Sequence, residues 1–332
     1  MAGLRWPVRT AAVLAWAWML IVLSGCGTPR PDPRTLKTGT YFQITPVHYR
    51  WSTRTYLLHI PRNYDEQKAW PLVLVLHGAF GTAGRMEKQS GFSELADRAG
   101  FVVAYPNGIG LFGHLQHWNA GHCCGWAEMD RVDDVGFVRH VMQDVARRVR
   151  IDRQRQYVVG YSNGGMLAYR FACENSESIA AVGVVSGALG SAKGRGNAAS
   201  WIGPPQNSVP LIIIHGRDDE TVPFAGGPGL HSAPRRYVSV IDSARRWAGY
   251  CRCDFPPQVG ADPAGGCCTM TWRDEREDTW VVLHILEHWK HVWPGTSVTA
   301  RLPPEHPLRM FEASQVIWDF FCNGTPRQAR SE

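Results

Sequence analysis

The clearest chemical signal in the chain is Gly160-Tyr161-Ser162-Asn163-Gly164, a serine held between two glycines. An apolar run from Tyr157 leads into it, and Gly165-Met166 opens a second apolar stretch, so the segment reads as strand, sharp turn and helix start. The flanking glycines suit a turn in which a β-carbon would collide with the neighbouring strand or helix, and Gly165 lets the helix approach the sheet. That turn sets Ser162 at a helix N-terminus, where free N–H groups and the dipole favour developing negative charge. A serine alcohol is a poor nucleophile until a base takes its proton, so the motif requires a histidine and an orienting carboxylate. Downstream, Leu211-Ile212-Ile213-Ile214-His215-Gly216 runs into an acidic turn containing Asp218, Asp219 and Glu220. Later, an apolar run ending at Leu286 leads to His288-Trp289-Lys290-His291-Val292-Trp293-Pro294-Gly295. Both segments follow apolar runs and reach the sheet edge that carries Ser162, in the chain order serine, acid, histidine.

Such placement needs a scaffold of strands alternating with helices. Short apolar runs at 56–60, 72–76, 101–105, 157–161, 180–185, 211–214 and 280–286 read as buried strands. Asp133 is a good N-cap for a helix whose apolar face carries Val135, Val138, Met142, Val145 and Val149. Further helices are expected over 90–99, stopping at Gly100, and over 166–174, 237–250 and 312–321. This alternation predicts an α/β fold with a mostly parallel sheet and helices on both faces.

The 332 residues are 44% apolar and 19% charged, enough to bury a large core and too apolar for a disordered chain. The net charge of +6 comes from scattered arginines without a dense basic block, so no nucleic-acid partner is expected. Arg5 and Arg9 precede an apolar run from Ala11 to Leu23 that ends in Leu23-Ser24-Gly25-Cys26. This is a signal segment over 1–25 whose ending resembles a bacterial lipobox, with Cys26 as the lipidation site and membrane anchor. Without an aspartate after the cysteine, the expected home is the outer membrane or cell surface, with a periplasmic or secreted protein as the alternative. Residues 26–39, with Pro29, Pro31 and Pro33, form a stiff tether, and 40–325 a single catalytic domain. Setting Cys26 aside leaves eight of the nine cysteines, an even number suited to disulfides in an exported protein. One local pairing joins Cys251 or Cys253 to Cys267 or Cys268.

Taken together, the motifs resemble secreted bacterial esterases grouped with poly(3-hydroxybutyrate) depolymerases and feruloyl esterases, close to family 1 carbohydrate esterases. The resemblance covers roughly residues 40–322. It rests on Leu76-His77-Gly78, Tyr105-Pro106-Asn107-Gly108, the run from Val132 to Phe137, Gly160 to Met166, His215 to Pro223, and His291 to Gly295. It implies an α/β-hydrolase fold and a serine esterase with Ser162 as nucleophile, Asp219 as acid and His291 as base, without cofactor. The family's H-G-x-x-D spacing selects Asp219 over Asp218 and Glu220, and the W-P-G that follows selects His291 over His288 and His284. The chain departs from the pattern just before His291, where His288-Trp289-Lys290 stands in place of the relatives' usual glycines.

An oxyanion hole would take its donors from Asn163 N–H and from the turn after His77-Gly78, at Ala79 with Phe80 as the alternative. His77 braces that turn, and Asp133 and Asp134 read as helix caps rather than acid/base groups. Trp118 and Trp293 are the candidate substrate contacts. A metal site from His117, His122, Cys123 and Cys124 is disfavoured in an oxidising compartment, so no metal is expected. The resemblance also implies a soluble ester, such as a short hydroxyalkanoate oligomer or an acylated or feruloylated sugar, because only ten residues follow Cys322. A serine peptidase or acyltransferase on the same residues, or an inactive binding protein, are the alternatives. A monomer is expected.

Overall fold

The computed structural model describes residues 37–50, 52–111, 113–194, 197–230, 234–253, 256–324 and 326. The expected signal segment, Cys26 and the tether up to residue 36 lie outside the described residues.

Apolar runs with no polar face can be covered only if both sides of a strand are packed, and the middle of the molecule is built from such runs. The strands are β1 (Gly39–Tyr49), β2 (Ser52–Ile60), β3 (Trp70–Leu76), β4 (Val102–Pro106), β5 (Ile109–Leu111), β6 (His114–His117), β7 (Ile151–Tyr161) and β8 (Ala181–Val185). They continue with β9 (Gly190–Lys193), β10 (Ser200–Trp201), β11 (Leu211–Gly216), β12 (Gly227–Pro228), β13 (Arg235–Tyr237), β14 (Gln258–Ala261), β15 (Cys267–Arg273) and β16 (Thr279–Leu286). Among the described residues, one sheet runs in the order β1-β2-β4-β3-β7-β8-β11-β16-β15-β14. Its centre, from β4 to β16, is parallel throughout. Antiparallel strands extend both edges. Every residue of β3, β4, β8 and β11 is buried.

Helices make most of the crossovers between the parallel strands, while β8 reaches β11 through β9 and β10, and a last helix follows β16. These helices are α1 (Ala83–Ser90), α2 (Phe92–Ala99), α3 (Gly125–Met129), α4 (Asp134–Arg148), α5 (Asn163–Glu174), α6 (Val240–Tyr250) and α7 (Ala313–Asp319). The α4 face carrying Val135, Val138, Val141, Met142 and Val145 is buried, and Asp133 caps the helix by accepting from Gly136 N–H at 2.8 Å. Asp134 does not share that capping role. It is fully buried and pairs with buried Arg54 at 2.7 Å, because a carboxylate taken out of water needs a fixed counter-charge.

The helix expected over 90–99 is α2, which stops at Gly100 as expected; an unexpected helix, α1, precedes it, and the two share Gly91, whose φ of 68° ends α1 and begins α2. Thr82 caps the first by accepting from Arg85 N–H. The disulfide expectation is corrected in its pairing. The bond joins adjacent Cys123 and Cys124, while Cys251, Cys267 and Cys268 carry no disulfide, so the expected cross-link between those regions is not made.

Candidate active site

At the end of β7 the chain turns so sharply into α5 that Ser162 adopts φ 53° and ψ −119°, a conformation L-residues rarely take. Two interactions hold it there: Ser162 N–H donates to Val185 O of β8 at 2.8 Å, and Met166 N–H donates to Ser162 O at 3.0 Å. The flanking glycines are required by close approach. A β-carbon at Gly160 would overlap the Gly164 carbonyl, and one at Gly164 would overlap the carbonyls of Leu76 and His77. The strain therefore lifts the serine hydroxyl off the sheet at the carboxyl ends of the strands.

The neighbouring strands β11 and β16 deliver the other two groups. His291 Nε2 lies 2.9 Å from Ser162 Oγ, and His291 Nδ1 lies 2.7 Å from Asp219 Oδ2. Asp219 is buried, and its Oδ1 accepts from the backbone N–H groups of Thr221 and Val222, each at 2.9 Å. His215 Nε2 donates to Val222 O at 2.8 Å and lies 3.3 Å from Asp219 Oδ2. Burial pushes the Asp219 carboxyl up, but the hydrogen bonds and charges of His215 and His291 outweigh it and hold the group well below the usual carboxylate range. The carboxylate is thus kept ionised, facing the Nδ1 side of an imidazole whose other nitrogen faces the serine.

The segment before His291 that departs from the family pattern is accommodated by its backbone. His288 takes φ 55°, Trp289 Nε1 donates to Val292 O at 2.8 Å, and Asp218 N–H donates to Trp289 O at 3.1 Å. His288 itself is exposed, 3.5 Å from Asp218, away from the serine's hydrogen bonds. His284 is half-buried against Thr269, where desolvation lowers its pKa to about 4. Two partners of His291 and Asp219 were not found from the sequence. Tyr161 stacks on the His291 ring at 5.3 Å and donates its hydroxyl to His291 O at 2.9 Å. His215 braces the acid. Position alone could have flagged both, since one precedes Ser162 and the other lies four residues before Asp219.

The turn after β3 lies beside Ser162. Phe80 N–H is already given to Gln116 O at 2.8 Å, which removes it as the alternative oxyanion donor and leaves Ala79. His77 bridges this turn through Nδ1 to Gly78 O and through Nε2, which accepts from Gly108 N–H at 3.0 Å. Asn163, first residue of α5, is clamped through its side chain. Its Oδ1 accepts from Trp118 N–H at 2.8 Å and its Nδ2 donates to Trp118 O at 3.0 Å.

Both tryptophan expectations are corrected by burial. Trp118 has no exposed surface: its indole donates to His77 O at 2.8 Å, so it supports the turn from behind. Trp293 is equally enclosed, packed between Phe92 and Tyr161 in the core. Neither ring can touch a bound substrate. His117, His122 and the Cys123–Cys124 pair do not assemble into a metal site among the described residues.

A largely parallel sheet that carries a serine on a strained strand-to-helix turn, beside a histidine and a buried aspartate, defines an α/β-hydrolase. The chain belongs to the esterase PHB depolymerase family, whose model matches residues 54–257. It is 32% identical to NocK of Nocardia uniformis subsp. tsuyamanensis, named as an esterase, over 80% of this chain and 83% of that protein. It is 26% identical to feruloyl esterase B of Piromyces equi, over 64% of this chain and 38% of that longer protein. Its fold is similar to that of an acetyl xylan esterase from Aspergillus awamori, with a TM-score of 0.54 at 17% identity, covering 76% of this chain and 94% of that one. The chain is a carboxylic ester hydrolase.

Proposed function

We propose that ester hydrolysis proceeds by acyl transfer through Ser162, His291 and Asp219. The supporting observation is the pair of hydrogen bonds, 2.9 and 2.7 Å, that links the three side chains in one line. In the first step His291 Nε2 takes the Ser162 hydroxyl proton as Oγ bonds to the ester carbonyl carbon, and Asp219 stabilises the resulting imidazolium. The oxyanion is met by the N–H groups of Asn163 and Ala79. Collapse breaks the bond to the alcohol, which leaves with the proton from His291. Water then attacks the acyl-serine, giving its proton to His291, and the acid is released as Ser162 regains a proton. The substrates we infer are short hydroxyalkanoate oligomers or acylated and feruloylated carbohydrates, in keeping with the family to which the chain belongs and with its feruloyl esterase relative.

The test is Ser162→Ala. Turnover of p-nitrophenyl esters should fall to background while the far-UV circular dichroism spectrum stays as in the wild type. A fluorophosphonate probe should label the wild type and not the variant. Retained turnover in Ser162→Ala would refute the assignment.

A further inference from the structure

His291 stands on a loop. Between the end of β16 at Leu286 and Gly295 the chain forms neither helix nor strand, so no hydrogen-bond ladder fixes the imidazole opposite Ser162. A base carried this way needs other restraints, because displacing a reacting group by about 1 Å can cost about 100-fold in rate.

Four successive carbonyls of the loop, from Trp289 to Val292, each accept a hydrogen bond. The first two are met by backbone: Asp218 N–H donates to Trp289 O at 3.1 Å, and Val292 N–H donates to Lys290 O at 2.8 Å. The next two are met by aromatic side chains. Tyr161 donates its hydroxyl to His291 O at 2.9 Å, and Trp289 Nε1 donates to Val292 O at 2.8 Å. The carbonyl of the base and the carbonyl after it are thus held by groups that approach from the side.

Tyr161 also restrains the imidazole directly. The two rings are stacked, with centroids 5.3 Å apart and planes 30° apart, and Trp293 meets the tyrosine ring edge-on at 6.1 Å. The tyrosine further lies against Gly78, where a β-carbon would come within 3.0 Å of Tyr161 Cδ1. One residue therefore touches the base and the turn that leads to Ala79, and is joined to Ser162 by a peptide bond. Desolvation raises the phenol pKa above its ordinary value, so the hydroxyl stays a donor. Trp289 is 7% exposed and packed into the core, at the place where the chain departs from the family pattern. A glycine there would supply neither the packing nor the N–H.

We propose that Tyr161 and Trp289 are positioning residues for the base: their donors clamp the carbonyls of His291 and Val292, and the tyrosine ring holds the imidazole plane, so that Nε2 stays on Ser162 Oγ. Both act through His291, and the inference rests on the triad reading above.

Tyr161→Phe removes one hydroxyl and keeps the ring; Trp289→Phe removes the indole N–H and keeps an aromatic side chain. On p-nitrophenyl butyrate each should lower kcat about tenfold with KM within about twofold of wild type, as expected when a hydrogen bond serves geometry and not substrate binding. Inactivation of Ser162 by a fluorophosphonate should slow by the same factor. The deciding arm uses His291→Ala, which leaves no imidazole to position. In that background Tyr161→Phe should cost nothing further in residual turnover, because residues that act as a unit are not additive. A role confined to folding or to the turn at Ser162 would cost the same in both backgrounds. If Trp289→Phe lowers the urea midpoint sharply, Tyr161→Phe still decides the matter. Wild-type kcat in Tyr161→Phe, a raised KM with kcat unchanged, or an equal loss in the His291→Ala background would overturn the proposal while leaving the triad intact. Wild-type turnover by His291→Ala itself would instead remove the base assignment, and the clamp with it.

Discussion

Asp219 is the residue on which the proposed chemistry is most finely set. Two backbone N–H groups and His291 converge on one carboxylate and need it as an acceptor, with His215 Nε2 3.3 Å away. Asp219→Asn keeps the shape but turns an NH₂ toward at least one donor and favours the wrong His291 tautomer. Its kcat should fall about 10⁴-fold with KM little changed, as read by steady-state kinetics; a loss under tenfold would show that the acid is elsewhere. The positions of Ser162, Asp219 and His291 were legible because each sits in a short motif with fixed spacing at the end of an apolar run. Trp118 and Trp293 were misread for a physical reason. Nearness in sequence to a reacting group does not tell which way an indole points, and both rings turn inward to hold the turns rather than outward to solvent.

The strand-to-helix turn from β7 to α5 depends on backbone passing backbone. A β-carbon at Gly164 meets the backbone carbonyls of Leu76, at the end of β3, and of His77, which have no rotamer to move. Gly164→Ala should therefore destabilise the protein by about 3 kcal/mol, read as a lower urea midpoint, with activity lost as α5 shifts. Gly84 in α1 is the contrasting case, since a β-carbon there meets only Leu57 at 3.9 Å. Gly84→Ala should leave the midpoint unchanged or raise it by up to about 1 kcal/mol. Element boundaries were less legible than element types. Helix α1 was missed because its apolar positions, Ala83 and Met86, are too few to show a period. The edge strand β1 was missed because Phe42 and Ile44 face solvent.

Across the whole molecule, several histidines are stored as neutral imidazoles. Burial lowers the pKa of His77 to about 4, of His122 to about 3 and of His284 to about 4. In the unfolded chain each takes up a proton near pH 6.5, so between that value and about pH 4 the unfolded state holds more protons and stability rises with pH. Acidification from pH 7 to 5 should cost on the order of 5 kcal/mol, lowering the urea midpoint; equal midpoints at the two values would contradict it. Below pH 4 the protonation of Asp219, held ionised in the folded state, removes a further share. The fold class was legible from the alternation of apolar runs and helical periods. The antiparallel flanks were not, because an exposed strand such as β14 and a half-exposed one such as β15 lack a continuous apolar signature.

The imidazole and the alcohol it serves lie 129 positions apart, and they meet only when β16 has joined β11. At a synthesis rate of about 5–20 residues per second, Ser162 leaves the ribosome roughly 6–26 s before His291. Throughout that interval the nascent chain carries a hydroxyl with no base. On the proposed mechanism the reactive arrangement cannot exist before His291 is made, so chains that stop short of it present an inert serine to the esters around them.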